Sequence, residues 1–314
     1  MATLVHPIES VPGAQLSHLF DEETSVWARD LLWSFAPTRR RLESAFAERT
    51  LHGFVANDDL GACAYATYAT DGVHGIVGSV FTAGRSRGRG LEALLVRHVL
   101  DRLLLDRPRT IDCQTLFSSD PGHTEPFAAR GFASAPRLYM TLDRSGWLAA
   151  RRGIPPGFRS KPADRADLGS VARLVYESHK GGAHLDASSS FDTLDSCERI
   201  LGQIMVDEVC GRFDPQGSRR VDANGQLVAA SLLTWPLPGV AHISEVATAP
   251  SHRRLGLARH CLTESLTQAF DHGEASAVTL SVTASNRGAL ALYESMGFAP
   301  RIRYESHVLR DPPR

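Results

Sequence analysis

Cysteine and long apolar runs are scarce in this sequence. Its five cysteines form no C-x-x-C pair and are odd in number, so neither a disulfide framework nor a metal site is expected. No run approaches the roughly 18 apolar residues of a membrane span. The start, MATLVHPIES, lacks the basic and apolar regions of a signal peptide. The sequence therefore predicts a cytoplasmic protein with reduced thiols.

An excess of charge of either sign is also missing. The chain carries 34 basic and 35 acidic residues, for a formal net charge of −1. Near neutrality gives no general attraction to nucleic acid or to an anionic membrane. Basic and aromatic residues do not alternate as they do in many nucleic-acid-binding segments. Any basic site must therefore be local, and neither nucleic acid nor membrane is an expected partner.

The length of 314 residues suits two domains of about 150 residues each. The clearest cluster of helix and strand breakers is DRSGWLAARRGIPPGFRS, residues 143–160, with two adjacent prolines and three glycines. Such a cluster is typical of a linker. We therefore expect domains at 1–146 and 157–314, joined by a linker at 147–156.

The two halves repeat one order of strands and helices. SVFTAGRSRGRGLEALLVRHVLDRL in the first half corresponds to EVATAPSHRRLGLARHCLTESLTQAF in the second, and EPFAARGFASAPRLYMTL corresponds to LALYESMGFAPRIRYESHVL. VDANGQLVAA carries an Asn-Gly turn between strand-like segments, which predicts a hairpin. Alternating strands and helices predict an α/β (α+β) layered fold in each half.

One loop in the second half has the features of a phosphate site. In VATAPSHRRLGLA, residues 246–258, a strand-like segment leads to two arginines and a glycine, and apolar residues then follow at helical spacing. The free N–H groups and the positive dipole end of a helix attract phosphate. Glycine allows close approach, and arginine adds charge-assisted hydrogen bonds. The loop carries neither a Walker nor a Rossmann pattern.

Residues 245–298 resemble the core of the GNAT superfamily of N-acetyltransferases. The family pattern Arg/Gln-x-x-Gly-x-Gly/Ala is matched by RRLGLA, and its later pattern is matched by the Asn, Ala, Leu-Tyr and Gly-Phe of SNRGALALYESMGF. The resemblance implies two tandem GNAT-like domains. Each would be a mixed, mostly antiparallel twisted sheet flanked by helices.

The resemblance also implies acetyl-CoA as co-substrate, with no metal. The strand before the loop would splay from its neighbour and pair with the pantetheine arm as an added strand does. Asn286 would lie close to the pantetheine or the phosphates. The implied cofactor-binding residues are Val246, Thr248, Arg253, Arg254, Leu255, Gly256, Leu257, Ala258 and Asn286.

Acetyl transfer to an amine needs a base for the amine proton and an acid for the leaving thiolate. Tyr293 matches the family's general-acid tyrosine. Glu245 and His242 are both candidates for the base. A bulge is expected on their strand, and one extra residue changes the face on which a side chain lies. Alternation along the strand therefore does not decide between them.

In the first half, RSRGRGLEA offers a second candidate cradle with Arg85, Gly88 and Gly90. VFTAGR is two residues shorter than VATAPSHR up to the first motif arginine, so an altered loop is expected. Phe127 stands where Tyr293 stands in the second half, and no counterpart of the asparagine is present. We therefore expect a non-catalytic first domain.

The acceptor would enter near residues 176–209, where Glu177, His184 and Asp186 could meet a cationic amine. We expect an N-acetyltransferase acting on the primary amine of a small metabolite, in a monomer or homodimer. One alternative is transfer to protein lysine or transfer of another acyl group. An alternative of a different class is an acyl-CoA-binding sensor or scaffold without turnover.

Overall fold

A computed structural model describes residues 4–118, 122–147, 153–180, 182 and 188–312. His184, Asp186 and residues 148–152 of the expected linker lie outside this part. The chain groups into two compact units. Unit 1 consists of residues up to 137 together with 188–189 and 303–312, and unit 2 consists of residues from 138 to 182 and from 190 to 302. No helix in the described ranges is long and apolar enough to cross a bilayer.

Unit 1 is a mixed sheet with helices on both faces. Its strands lie in the order β1-β2-β3-β4-β5-β13, and only the β4–β5 pair is parallel. The strands are β1 (Leu4–Pro7), β2 (His52–Asp58), β3 (Gly61–Thr70), β4 (His74–Thr82), β5 (Thr110–Thr115) and, from residue 303 onwards, β13 (Ala299–Arg310). The helices are α1 (Ala14–Val26), α2 (Ala36–Ala47), α3 (Leu91–Leu105) and α4 (Glu125–Ala128).

The two faces of this sheet carry separate cores. Tyr65 of β3 packs with α1, whereas its neighbours Ala64 and Ala66 pack with α3. This alternation follows from the two-residue period of a strand. Apolar stripes at helical spacing on α1 and α3 cover the two faces.

Unit 2 repeats the architecture. Its strands lie in the order β6-β12-β11-β10-β9-β7, with β8 also paired to β10. The β11–β12 pair is parallel. The pairs β11–β10, β10–β9 and β9–β7 are antiparallel. The strands are β6 (Ala133–Asp143, here from residue 138), β7 (Phe158–Pro162), β8 (Arg212–Phe213), β9 (Arg219–Ala223), β10 (Gln226–Leu237), β11 (Val240–Thr248) and β12 (Ala277–Thr283). The helices are α5 (Leu168–His179), α6 (Leu194–Met205), α7 (Leu257–Thr267) and α8 (Arg287–Glu294).

The hairpin predicted from Asn-Gly is present between β9 and β10. Asn224 and Gly225 both have positive φ, 50° and 78°. This is the backbone that a type I′ turn needs, and asparagine and glycine adopt it at the lowest cost.

The last strand of the described residues belongs to unit 1 from residue 303 onwards. Residues Glu305–Arg310 pair with β5, and the side chains of Val308 and Leu309 are buried. Residues 138–146 group instead with unit 2, whose core includes Met140 and Leu142. Units defined by contacts need not coincide with units that fold alone, so the boundaries at 146 and 157 stay a prediction.

All five cysteines are free thiols, and four of them are buried. Burial raises the pKa of the Cys210 thiol to about 11 and that of Cys261 to about 12. Neutral thiols in apolar surroundings behave as small hydrophobic side chains.

Candidate functional site

The strand β11 contains the expected bulge. Leu232 of β10 pairs with Glu245, and the next residue, Leu233, pairs with Ile243, so Ser244 is the extra residue. Before the bulge, Ile243 packs in the core that contains α7, and after it Val246 does so. The bulge therefore places His242 and Glu245 on the same face of β11, opposite α7.

Beyond the bulge, β11 separates from β12. Their parallel ladder runs from Val240 to Ile243, although the strands continue to Thr248 and Thr283. The buried hydroxyl of Thr248 has no hydrogen-bond partner among the described residues. The edge of β11 from residue 244 to 248 is thus not paired with β12, and an extended ligand can pair with an edge of this kind.

The loop after β11 ends at the start of α7. A 3-10 turn at Pro250–His252 is followed by Arg254 and Gly256 with positive φ, 63° and 82°, and the helix begins at Leu257. A Cβ at Gly256 would meet nothing within 4 Å. Glycine therefore serves the left-handed backbone here and leaves the amides of the first helical turn open.

A second helix begins beside the first. Asn286 caps α8, and its Oδ1 accepts a hydrogen bond of 3.2 Å from the amide of Ala289. The N-terminal ends of α7 and α8 both line one cavity of about 720 Å³. Two helix N-termini at one cavity give it a positive potential without any lysine.

Tyr293 lines the same cavity from α8, one turn beyond Ala289. Its side chain is 8% exposed and packs edge-on against Phe298, with ring centroids 6.0 Å apart. Leu290 and Leu280 lie in the same apolar cluster. The ring is therefore held in the core while one side of it reaches the cavity.

The cavity gathers most of the predicted cofactor-binding residues. Its lining includes Val246, Thr248, Arg253, Arg254, Gly256, Leu257, Ala258, Asn286 and Tyr293. Leu255 does not belong to the lining, and its side chain is exposed. Its expected contribution is a backbone amide.

The two candidate bases differ in their surroundings. His242 lies outside the lining; its Nδ1 is 2.9 Å from the hydroxyl of Thr279 and its ring stacks on Tyr139. Glu245 also lies outside the lining, but its Oε1 is 3.6 Å from Nε2 of His179, which lines the cavity. Glu245 thus contacts the wall of the cavity through one residue, His179.

Sequence reasoning missed several cavity residues. Ser178 and His179, at the end of α5, line it, and so do His252, Arg259 and Arg287. Arg287 follows the capping asparagine directly, so the motif itself could have indicated it. The approach of α5 has no local signal, because it depends on how that helix packs on the sheet.

Of the predicted acceptor residues, the structure describes Glu177. Its side chain is exposed, and its Oε1 accepts a hydrogen bond of 3.1 Å from Nζ of Lys180. It does not line the cavity.

The equivalent loop of unit 1 has the same backbone. Gly88 and Gly90 have positive φ, 75° and 73°, and α3 begins at Leu91, at the same interval after Thr82 as Leu257 after Thr248. The expected shortening by two residues is therefore wrong. The counterpart of Arg253 is Arg87, and Arg85 precedes the motif.

Carboxylates of unit 1 already engage its loop. Asp58 accepts hydrogen bonds from Arg85 and Ser86, and the Arg85 hydrogen bond in particular lowers the pKa of Asp58 to about 2. Glu92 stands where unit 2 has Ala258, is buried in the first turn of α3, and accepts a hydrogen bond of 2.6 Å from Ser118. A third carboxylate, Glu22, accepts from the amide of Gly84 at 2.7 Å.

Phe127 of unit 1 is a core residue. It is fully buried, packs edge-on against Phe132 at 5.3 Å and stacks face to face on His307 at 3.8 Å. Burial lowers the pKa of His307 to about 4, so this imidazole is neutral at pH 7. No hydroxyl stands at the position that Tyr293 occupies in unit 2.

Comparison with known proteins agrees with this geometry. A family model, the acetyltransferase (GNAT) family, matches residues 196–298. A search among curated proteins finds no match. A GCN5-related N-acetyltransferase from Sphaerobacter thermophilus is 21% identical over 83% of this chain and 81% of its own, with a TM-score of 0.61.

Two further solved structures extend over nearly the whole chain. A tandem GNAT protein from the clavulanic acid biosynthesis pathway is 14% identical, covers all of both chains and has a TM-score of 0.63. A GNAT-family acetyltransferase from Colwellia psychrerythraea is 12% identical over 98% of this chain and all of its own, with a TM-score of 0.55. Residues 196–298 thus match the acetyltransferase (GNAT) family, and the chain has the fold of a tandem GNAT protein.

Proposed function

We propose that unit 2 transfers the acetyl group of acetyl-CoA to the primary amine of a small metabolite, by direct attack within a ternary complex. The GNAT family uses acetyl-CoA as co-substrate. One observation carries the proposal: a single cavity is lined by the separated strand, by both helix N-termini and by Tyr293.

The cavity suits the chemistry of CoA along its length. The edge of β11 around Val246 and Thr248 offers backbone groups and a buried hydroxyl to the amides of pantetheine. The amides from Arg253 to Ala258 and the guanidinium groups of the loop offer donors to the diphosphate. Asn286 lines the same cavity and is our candidate for contact with the pantetheine or the phosphates.

The reaction requires two proton transfers. The amine nitrogen attacks the acetyl carbonyl carbon, a C–N bond forms and the C–S bond breaks. The amine proton passes to a base, for which we favour Glu245 over His242 because Glu245 contacts a residue that lines the cavity. Tyr293 donates its phenolic proton to the leaving sulfur of CoA, since the reference pKa of a phenol, about 10, suits donation to a thiolate.

The acceptor enters beside the end of α5, whose Ser178 and His179 line the cavity. Neither half carries a long acidic run, which favours a compact amine over a basic protein tail. Glu177, His184 and Asp186 remain our candidates for contact with its charge. A longer acyl group or a protein lysine is the alternative within the same chemistry, and an acyl-CoA sensor without turnover is the alternative outside it.

Replacement of Tyr293 by phenylalanine tests the proposal. Unit 1 already holds a phenylalanine, Phe127, at this place in its fold, so the ring itself should fit. We expect kcat to fall by about 100-fold, at the lower end of the range for loss of a general acid, while acetyl-CoA binding by calorimetry stays unchanged. The assay follows CoA release with a panel of small primary amines.

An unchanged kcat in Tyr293→Phe would refute the general-acid role. Binding of acetyl-CoA by the natural protein, without CoA release above the spontaneous rate for any amine or for water, would favour the sensor instead. Acetylation of lysine peptides in preference to small amines would favour the alternative acceptor.

A further inference from the structure

The last turn of α5 contacts β11 through two charged or polar side chains. Nε2 of His179 lies 3.6 Å from Oε1 of Glu245, and both side chains are nearly buried. The same Oε1 accepts a hydrogen bond of 3.1 Å from the amide of Val246. At this distance the imidazole and the carboxylate interact strongly, because little water screens them.

His179 is held in place from two further sides. Phe191 packs edge-on against its ring, with centroids 4.2 Å apart. Its neighbour Ser178 accepts a hydrogen bond of 2.6 Å, through its carbonyl oxygen, from Nη2 of Arg253. The end of α5 is thus fixed to the loop that precedes α7 at the point where His179 reaches Glu245.

Unit 1 has a different residue at the position that corresponds to Glu245. Ser79 of β4 stands where Glu245 stands, because each lies three residues before the threonine, Thr82 or Thr248, that ends its strand. The carboxylate near Ser79 comes from the helix instead: it is Glu23 of α1, whose pKa is raised by burial and lowered by Ser79. A polar contact between the first long helix and this strand therefore occurs in both units, but only unit 2 pairs a strand carboxylate with an imidazole.

We propose that His179 is a positioning residue for Glu245, which fixes the carboxylate toward the cavity and keeps it ionised to accept the amine proton. This inference rests on the proposed function, in which Glu245 is the base. His179 acts through Glu245 and itself lines the cavity. The position and the ionisation of Glu245 therefore depend on how α5 packs against β11.

His179 favours the ionised form of Glu245 whether its imidazole is protonated or neutral. A protonated imidazole stabilises the carboxylate by charge, and a neutral imidazole with its proton on Nε2 stabilises it more weakly, by its N–H dipole across the 3.6 Å. Loss of His179 should therefore move the acidic limb of the rate profile to higher pH. Other titratable groups nearby include the Cys197 thiol of α6, on which the charges of Asp192 and Glu198 also act, His242 on the same face of β11, and Arg253. Burial, and then the charge of Glu245, raise the pKa of Cys197 to about 11, so it stays neutral in the range tested.

The test compares His179→Leu, His179→Gln and Glu245→Gln, alone and combined. CoA release is measured from pH 5.5 to 9 with the amine panel and with water. We expect His179→Leu to lower kcat by about tenfold or more and to shift the acidic limb upward, with acetyl-CoA affinity unchanged. His179→Gln keeps an N–H donor and should recover part of both effects.

The double variant separates positioning from packing. If His179 acts through Glu245, then His179→Leu should cost little further activity in the Glu245→Gln background. Equal losses in both backgrounds, or a lower melting temperature with an unchanged pH profile, would overturn the proposal. The exposed His272, changed to glutamine, controls for loss of a histidine as such.

A measurement without turnover separates this proposal from the proposed function. The Cε1 proton of His179 is titrated by NMR in the natural protein and in Glu245→Gln, where loss of the carboxylate should lower the pKa of His179. An unchanged His179 pKa would refute the pair even in an active enzyme. Absence of CoA release in the natural protein would refute the proposed function, and with it the catalytic role of a pair that the titration could still demonstrate.

Discussion

Nη2 of Arg253 donates a hydrogen bond of 2.6 Å to the carbonyl oxygen of Ser178. This bond joins the loop that precedes α7 to the last turn of α5, whose final carbonyl groups have no partner within the helix. A guanidinium with five donors can hold this carbonyl and still present N–H groups to the cavity that it lines. Arg253 thus serves both the fold and the proposed phosphate site.

We expect Arg253→Glu to weaken acetyl-CoA binding by about 10- to 100-fold, because a charge-assisted hydrogen bond contributes roughly 1.5–3 kcal/mol and the new carboxylate repels phosphate. Calorimetry at two salt concentrations measures this, and the affinity of the natural protein should fall more steeply with salt. Arg87→Glu, at the equivalent place in unit 1, is the matched control. Equal effects of both changes on binding would contradict the assignment of the cradle to unit 2.

One acetyl-CoA should bind per chain. In unit 1 the loop is occupied by its own carboxylates: Asp58 holds Arg85, and Glu92 lies in the first turn of α3, where a phosphate would have to lie. Like charges at that helix end disfavour a diphosphate. Native mass spectrometry with acetyl-CoA should give a single adduct, and Arg253→Glu should remove it. Two adducts that survive this change would show that unit 1 binds the ligand.

The stability of unit 1 should change when Glu23 is made neutral. Burial raises the pKa of Glu23 to about 7, against hydrogen bonds from Tyr65 and Trp27 that act in the other direction. A carboxyl group with a raised pKa binds its proton more tightly in the folded state, so stability falls as pH rises from about 4.5 to 7. The cost above pH 7 is on the order of 3 kcal/mol.

Glu23→Gln should therefore raise the melting temperature at pH 8 and change it little at pH 4.5. Calorimetric scans of both proteins at each pH give the difference. His307 has a lowered pKa, so its contribution is lost as pH falls from about 6.5 to 4. It is present in both proteins and cancels in the comparison. A destabilised variant at pH 8 would show that the hydrogen bonds of the ionised Glu23 outweigh its burial.

Unit 1 should lose order when the end of the chain is removed. Glu305–Arg310 pair with β5, and Val308 and Leu309 are buried side chains that each contribute roughly 1.5–3 kcal/mol. A chain that ends at Ile302 should therefore lose hydrogen-exchange protection in β5, whereas β10 and β11 of unit 2 keep theirs. A chain that ends at Asp311 retains every β5 pair and is the control. Full protection of β5 in the shorter chain would contradict the assignment of β13 to unit 1.

Much of the fold could be predicted from the sequence. The strand VAHISEVAT corresponds residue for residue to β11, and the helix predicted after Gly256 is α7. These elements follow from local rules: the period of apolar residues and the backbone that glycine permits. The short strands β1 and β8 were not singled out, because four and two residues carry no periodic signal.

The alignment of the two loops shows where local pattern is insufficient. Arg85 and Arg87 each lie three residues before a glycine, Gly88 or Gly90. The pattern R-x-x-G therefore fits both arginines, and spacing favours the earlier one only because it comes first. The positive φ of Gly88 and Arg254 fixes the correspondence instead, since each is the second residue before the glycine that starts its helix. Backbone conformation decides this, and sequence spacing alone does not.

Residues close together in the chain specify the strand, the loop and the helix of the candidate site, and also the contrast between Tyr293 and Phe127, so these can be read from the sequence alone. The packed fold is needed to show that Glu245 and His242 share a face, that His179 reaches Glu245, and that Asp58 and Glu92 engage the loop of unit 1. These relationships join segments that are far apart in the chain or follow from one bulged residue. Packing of the helices on the sheet fixes them, and no local pattern encodes that packing.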